Sequence, residues 1–364
     1  MAHPYLITTF IIITLFFFTE CGSAEKKGAS QSNYSTASQN IDVIQKIPVT
    51  GNPGITKTYI LKKPRDLKIG KPEVVIFQNG DIKVKLYAKI FGQGNAVYCE
   101  IENKVKGSDP AEVSLYYNKV KVPVTKTSWG YRCLWGINPE EKPGYVTVTV
   151  HYSINGGKNS LASEIKIRDI RYPVSKTMLD VGKFSNKDYY SDPKFRNLIA
   201  ECTALRKKAF SIISDDKIES TISHPRNFHK ITGDYWRKRI YLNYKIKNNK
   251  RVKVKGRRSF HRGLDFKGDI GAPVYAMADG VVVLSHSMFW EGKMVVIDHG
   301  NQVFSYYQHM DSLKVNEGQK VRAGDIIGGV GATGMVTGPH LHIAFSIRGV
   351  HVNPLSILYL PVSR

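Results

Sequence analysis

Between about residues 45 and 170 the chain runs in short alternations of apolar and polar residues broken by turn residues, and that rhythm leaves little room for anything but β-structure. The segments VVIFQ, IKVKLYAKI, NAVYCEIE, EVSLYY, VKVPVT, GYRCLWGI, GYVTVTVHYSI and EIKIRDI are punctuated by NG, GQGN and INGG. Such spacing predicts a β-sandwich. No acids, bases or nucleophiles gather in these segments, so they read as a binding or spacer module. Cys99 and Cys133 both fall in strand-like runs. In an oxidising compartment a bridge between them is one reading, and two buried thiols are the other.

The pattern then changes. SDPKFRNLIAECTALRKKAFSII, residues 191–213, has helical spacing, with Ser191 or Asp192 to cap it and Pro193 in its first turn. Phe195, Leu198, Ile199, Cys202 and Leu205 recur at three and four, which predicts one amphipathic helix packed on a neighbour. RKRIYLNYKIKNNKRVKVKGRR, residues 237–258, contains no acid and alternates cations with apolar or aromatic residues. It predicts a hairpin turning near KNNK, either a solvated ribbon or a surface for polyanions. After Ile213 the chain is again β-rich, which predicts a mainly antiparallel C-terminal domain.

The chain of 364 residues carries 53 basic and 30 acidic residues, a formal charge of +23. That balance suits nucleic acid, anionic lipid or an acidic cell-wall polymer, and charge by itself does not choose among them. The amino terminus does. LITTFIIITLFFF, Leu6–Phe18, is shorter than a comfortable membrane span and sits where a secretory signal's apolar core sits. FTECGS then resembles a lipobox, with cleavage before Cys21 and a lipid on its thiol, although Glu20 and Phe18 depart from the usual residues. Cleavage after Ala24 is the alternative. The Ser-rich stretch after Cys21 favours a tether. Export to the periplasm or outer envelope follows, with membrane attachment through Cys21, and no nucleic-acid partner is expected.

Chemistry concentrates late in the chain. In GPHLHI, a strand would turn His340 and His342 to one face and Leu341 to the layer behind. In HRGLD, His261 and Asp265 share a face if extended, with Gly263 leaving it open. Two histidines and one carboxylate make a three-ligand catalytic zinc set that leaves a position for water. The spare imidazole of the HLH pair, and His309 in YYQHM, would then stand near that water to move protons.

HRGLDF, GAPVYAMADGVVVL, MVVIDHGN, YYQHM, EGQKVRAGDIIGGVGATG and TGPHLHI together resemble the lysostaphin-type zinc metalloendopeptidases that cleave peptidoglycan peptides. The resemblance runs from about Phe260 to Leu355. It implies that His261, Asp265 and His342 bind one zinc ion and that His309 and His340 are the catalytic pair. Gln308 and Met310 depart from the usual neighbours of that histidine, and neither change removes a reacting group.

The chain is therefore expected to be mainly β, with an N-terminal sandwich, one linking helix and a C-terminal antiparallel metallopeptidase domain. The expected order is a signal at 1–20 (alternatively 1–24), a tether at 21–44 and an immunoglobulin-like sandwich at 45–175. A helical linker at 176–235 and the zinc endopeptidase domain at 236–364 complete it. The expected activity is hydrolysis of peptidoglycan stems or crosslinks, with the cationic surface holding anionic envelope polymers; a non-catalytic cell-wall binding or amidase-activating envelope protein is the alternative. His299 reads as a turn residue, His224, His229, His286 and His351 take no role, and Trp290 is expected to wall the peptide cleft.

Overall fold

The alternating segments fold as strands because every second apolar side chain reaches the same buried layer. The computed structural model describes residues 70–105, 110–227 and 230–362, together with the backbone of two paired strands, β1 (Val43–Val49) and β2 (Asn52–Leu61). The expected signal segment and Cys21 lie outside the described residues.

Nine strands follow: β3 (Glu73–Gln78), β4 (Ile82–Ala88), β5 (Ala96–Asn103), β6 (Ala111–Tyr117), β7 (Val120–Val122), β8 (Thr125–Thr127), β9 (Gly130–Gly136), β10 (Gly144–Ile154) and β11 (Gly157–Ile167). They form two antiparallel sheets, ordered β3-β4-β5-β9-β8 and β11-β10-β6-β7. Ile82, Val84 and Leu86 from one sheet and Val146, Val148 and Val150 from the other meet in a single apolar cluster. VKVPVT, read above as one strand, divides at Pro123 into β7 and β8, which belong to different sheets. Proline has no N–H to continue the ladder. Cys99 and Cys133 sit directly opposite on β5 and β9 as buried free thiols. Directly opposed residues of antiparallel neighbours keep their Cβ atoms about 4.5–5.5 Å apart. A disulfide prefers about 3.8 Å, so the thiol reading is the one the structure adopts.

The segment expected to be a helical linker is only partly helical. Strand β12 (Val174–Leu179) leads to a 3-10 turn (Gly182–Ser185), a short α1 (Lys187–Ser191) and then α2 (Pro193–Phe210). The Asp192 side chain accepts from Lys194 N at 2.9 Å, closing the helix start as its sequence foretold. Helix α2 buries Cys202 against the backbone of Phe289, whose N–H reaches Cys202 Sγ at 3.4 Å. From 211 to 227 the chain has no regular secondary structure and is tied down where Lys217 N donates to His299 O and Ser223 N to Met277 O. Among the described residues no helix is long and apolar enough to cross a membrane.

After β13 (Ile231–Gly233), the acid-free segment forms the expected hairpin, β14 (Lys238–Lys247) and β15 (Lys250–Phe260). Asn248 and Asn249 both have positive φ, the conformation a two-residue hairpin turn demands. The C-terminal strands are β16 (Leu264–Lys267), β17 (Pro273–Tyr275), β18 (Gly280–Met288), β19 (Gly292–Asp298), β20 (Val303–Met310), β21 (Ser312–Leu313), β22 (Lys320–Val321), β23 (Ile326–Gly329), β24 (His340–Ile347) and β25 (Val350–Val352), followed by α3 (Pro354–Ile357). The main sheet runs β13-β16-β24-β20-β19-β18-β22, with β25 also on β24, and a small sheet runs β17-β23-β21. Phe266, Tyr307, Leu341, Ile343 and Phe345 bury the inner face of the main sheet against Val274 and Ile327 of the small one. On the other face, Leu284, Met294, Val296, Phe304 and Ala344 pack against Cys202 and Ala209 of α2.

Candidate metal centre

Strand periodicity delivers half of the site. On β24, Leu341, Ile343 and Phe345 are fully buried on one face, so His340 and His342 project from the other. Strand β16 pairs with β24 in a register that sets Asp265 directly opposite His342. His261 arrives differently. It stands in the turn between β15 and β16 rather than on an extended run, so a bend at Arg262–Gly263, and not shared strand phase, brings it to Asp265.

Three donor atoms converge. His261 Nε2, His342 Nδ1 and Asp265 Oδ1 lie 2.9 Å from one another. His261 and Asp265 are each 6% exposed. The other nitrogen of His261, Nδ1, lies 2.7 Å from Asp234 O. A carbonyl can only accept, so that contact fixes a proton on Nδ1 and leaves Nε2 for a metal ion or a second proton. With neither, its lone pair would face a carboxylate oxygen, acceptor against acceptor, an unfavourable buried contact. Donors at about 2.0–2.1 Å around a tetrahedral ion stand roughly 3.3 Å apart, close to the observed triangle. Two glycines let the donor residues pack this closely: a Cβ on Gly263 would meet Ile343 O and, at 2.8 Å, His342 Nε2, and one on Gly233 would collide with the Asp265 carboxylate. The residues present fit a metal ion.

Electrostatics agree. Burial opposes ionisation of Asp265, yet the imidazoles of His261 and His342 hold its carboxyl well below the usual range. Burial lowers His342 to about 4. At neutral pH Asp265 is therefore a carboxylate and His342 a neutral imidazole, the states in which each can bind a metal.

Residues 259–354 match peptidase family M23. The chain carries a peptidase family M23 domain. Peptidoglycan DD-endopeptidase ShyC of Vibrio cholerae is 30% identical over 173 residues, covering 44% of this chain and 37% of that protein. Peptidoglycan DD-endopeptidase ShyA of the same organism is 47% identical over 95 residues, covering 26% of this chain and 22% of that protein. A metalloprotease of Haemophilus influenzae, itself uncharacterised, is 41% identical over 110 residues, covering 30% of this chain and 23% of that protein. The chain thus spans well under half the length of these relatives.

Two more imidazoles border the M23 domain's donor triangle. His309 ends the pairing of β20 with β24, whose last register partners are Gln308 and His342. Its φ of 63° is left-handed, rare for a residue other than glycine. Strict alternation would put His309 on the opposite face from Gln308; instead its ring lies 5.0 Å from that of His340 and 6.0 Å from that of His342. His309 Nδ1 contacts Thr333 O at 2.9 Å and His340 Nδ1 contacts Gly338 O at 2.8 Å, leaving each Nε2 unengaged by these carbonyls. His340 Nε2 lies 3.6 Å from Asp265 Oδ1. Burial first, then His340 and His342, lower His309 to about 3. Asp265, His309 and His340 open onto a cavity of about 460 Å³ that Arg237, Tyr241 and Met335 also line.

Sequence reasoning missed Arg239. Read as part of a basic surface run, it reaches from β14 to hold Asp265 Oδ2 at 2.5 Å, the kind of outer partner that orients a ligating carboxylate. Only tertiary contact reveals it, because the residue is one of many cations in its segment. Met288 and Phe289 are buried, and Trp290 packs against Phe184 and Tyr190 beside a hollow of about 160 Å³ that shares Val181, Tyr241 and Met335 with the cavity at His309 and His340. His299 is also more than a turn residue: fully buried, it contacts Asp279 O through Nδ1 at 2.7 Å and Ser305 Oγ through Nε2 at 2.8 Å.

Proposed function

We propose that this chain is a zinc-dependent endopeptidase that hydrolyses peptide bonds in peptidoglycan stems or crosslinks. His261, Asp265 and His342 hold one zinc ion, and His309 and His340 are the catalytic pair. The observation that carries this reading is the buried contact of His261 Nε2 with Asp265 Oδ1 at 2.9 Å, with two further imidazoles at its edge. The named relatives, peptidoglycan DD-endopeptidases, support the substrate class.

When bound, zinc polarises the scissile carbonyl and lowers the pKa of a water to about 7. The Asp234 carbonyl keeps His261 in the tautomer that presents Nε2, and Arg239 keeps Asp265 turned inward. His309, held neutral by burial, accepts a proton from the attacking water and returns it to the leaving amine. His340 is tethered by the Gly338 carbonyl and offers its Nε2 to charge developing on the carbonyl oxygen.

The apolar segment Leu6–Phe18 supports export of this activity, with Cys21 as the anchor if the chain is cut before it and none if it is cut after Ala24. The acid-free hairpin holds the enzyme on anionic envelope polymers. Incubating the full chain with purified sacculi and identifying released muropeptides by mass spectrometry tests the proposal. Chelator-sensitive release of fragments cut within peptides is expected; intact sacculi after incubation with zinc-loaded protein would refute it.

A further inference from the structure

The outer sheet face that carries the donor triangle does not end there. On β24, Ala344 and Ser346 continue the face of His340 and His342, and Phe304, Tyr306 and Gln308 lie beside them on β20. This floor leads into a second cavity, about 630 Å³, which begins at His342. Helix α2 closes one side with Arg206 and Phe210, and Met294 and Phe304 make part of the lining apolar. Any peptide crossing the donor triangle along the sheet would therefore extend into this space.

Its charge is one-sided. Among the described residues, three guanidinium groups, Arg206, Arg262 and Arg348, line the cavity, and no Asp or Glu does. Arg206 is engaged by Glu291 at 2.6 Å. Arg348 donates to the backbone carbonyls of Asn301 and Leu134. Those contacts fix its fork without neutralising it. Arg262 is exposed at the rim, one residue beyond His261. Tyr306 Oη and His351 Nδ1 meet at 2.8 Å and leave the floor polar at that end. A cavity with two uncompensated guanidinium groups and part-apolar walls selects a ligand with a carboxylate on an aliphatic stem.

We infer that this cavity is a carboxylate-binding arm of the substrate cleft, in which Arg262 and Arg348 hold an acidic group of the peptide being cut. The inference rests on the endopeptidase reading and adds what that reading leaves open, the charge of the substrate beyond His342. It gives His351, which the sequence left without a role, a place in the floor.

Two synthetic crosslinked stem-peptide dimers test it, one with free carboxylates and one with the same groups as carboxamides, on the zinc-loaded full chain. The natural protein should prefer the acid roughly ten-fold or more in kcat/KM, mainly through KM. Arg262→Gln should shrink that preference to about two-fold, and Arg262→Lys should restore part of it. Equal rates on both dimers, or a preference unchanged in both Arg262→Gln and Arg348→Gln, would overturn the arm and leave the hydrolase standing. If neither dimer is cut, the endopeptidase reading fails separately, and calorimetric binding of the two dimers then decides the arm. Tighter binding of the acid, weakened by Arg262→Gln, supports it, and equal affinities overturn it.

Discussion

Two cross-strand pairs in this molecule have the same register and opposite fates. Cys99 and Cys133 face each other on β5 and β9, and Asp265 and His342 face each other on β16 and β24. Thiols bind zinc at least as readily as imidazole and carboxylate. Yet the cysteines, 0% and 5% exposed, are packed among Ile82, Leu86 and Trp135 between two apolar sheets. The Asp–His pair has a third donor, His261, bent in from a turn, and glycines on two sides where a Cβ would intrude. Ligand-type residues in register do not make a site. A third donor and cleared space do: His261 and Gly263 come from the turn just before β16, and Gly233 from β13 beside it.

His342→Ala is the strongest test of that contrast. Metal content should fall from about one ion per chain to near zero, because three protein donors become two, and cleavage should vanish with it. Elemental analysis of the purified variant checks the first point; full occupancy would show that the triangle is not the metal site. His309→Ala sharpens the distinction between holding and reacting. It should keep the metal and lower kcat by roughly 10²–10⁴-fold, and an unimpaired variant would remove His309 from the chemistry.

His299 belongs with the cysteines, a ligand-type side chain sealed in a core. Burial lowers its pKa from 6.5 to about 4, so between those values the unfolded chain binds a proton that the folded chain refuses. Stability should therefore fall as pH drops through 6.5 and level off below about 4, by up to about 3 kcal/mol from this group. Chemical denaturation at pH 7 and pH 4.5 should show the loss, and His299→Gln should flatten the slope. The smallest effect is expected from Cys99→Ala. Removing one buried sulfur should cost about 1 kcal/mol, seen as a lower melting temperature, with metal content and activity unchanged. A drop in metal content there would mean that the two regions are not independent.

Much of this was legible in order along the chain. The alternation of Ile82, Val84 and Leu86 specified strands, Asp192–Pro193 specified a helix start, and the acid-free run around Asn248–Asn249 specified a hairpin. HLH specified a shared face because strand periodicity is local. Less legible was the route of 211–227, which has no periodicity of its own and is held by backbone contacts to another sheet. Arg239 was hidden among like charges.

By itself, then, the sequence determined which residues are apolar every second position, where the turns fall, and which imidazoles and carboxylate were available for a site. These follow from interactions between near neighbours in the chain. The tertiary structure alone decided that His261 Nε2 meets His342 Nδ1, that Arg239 grips the Asp265 carboxylate, and that a left-handed residue swings His309 beside His340. Those outcomes depend on strand register and on vacant volume, set when distant segments pack together and not written at any one position of the chain.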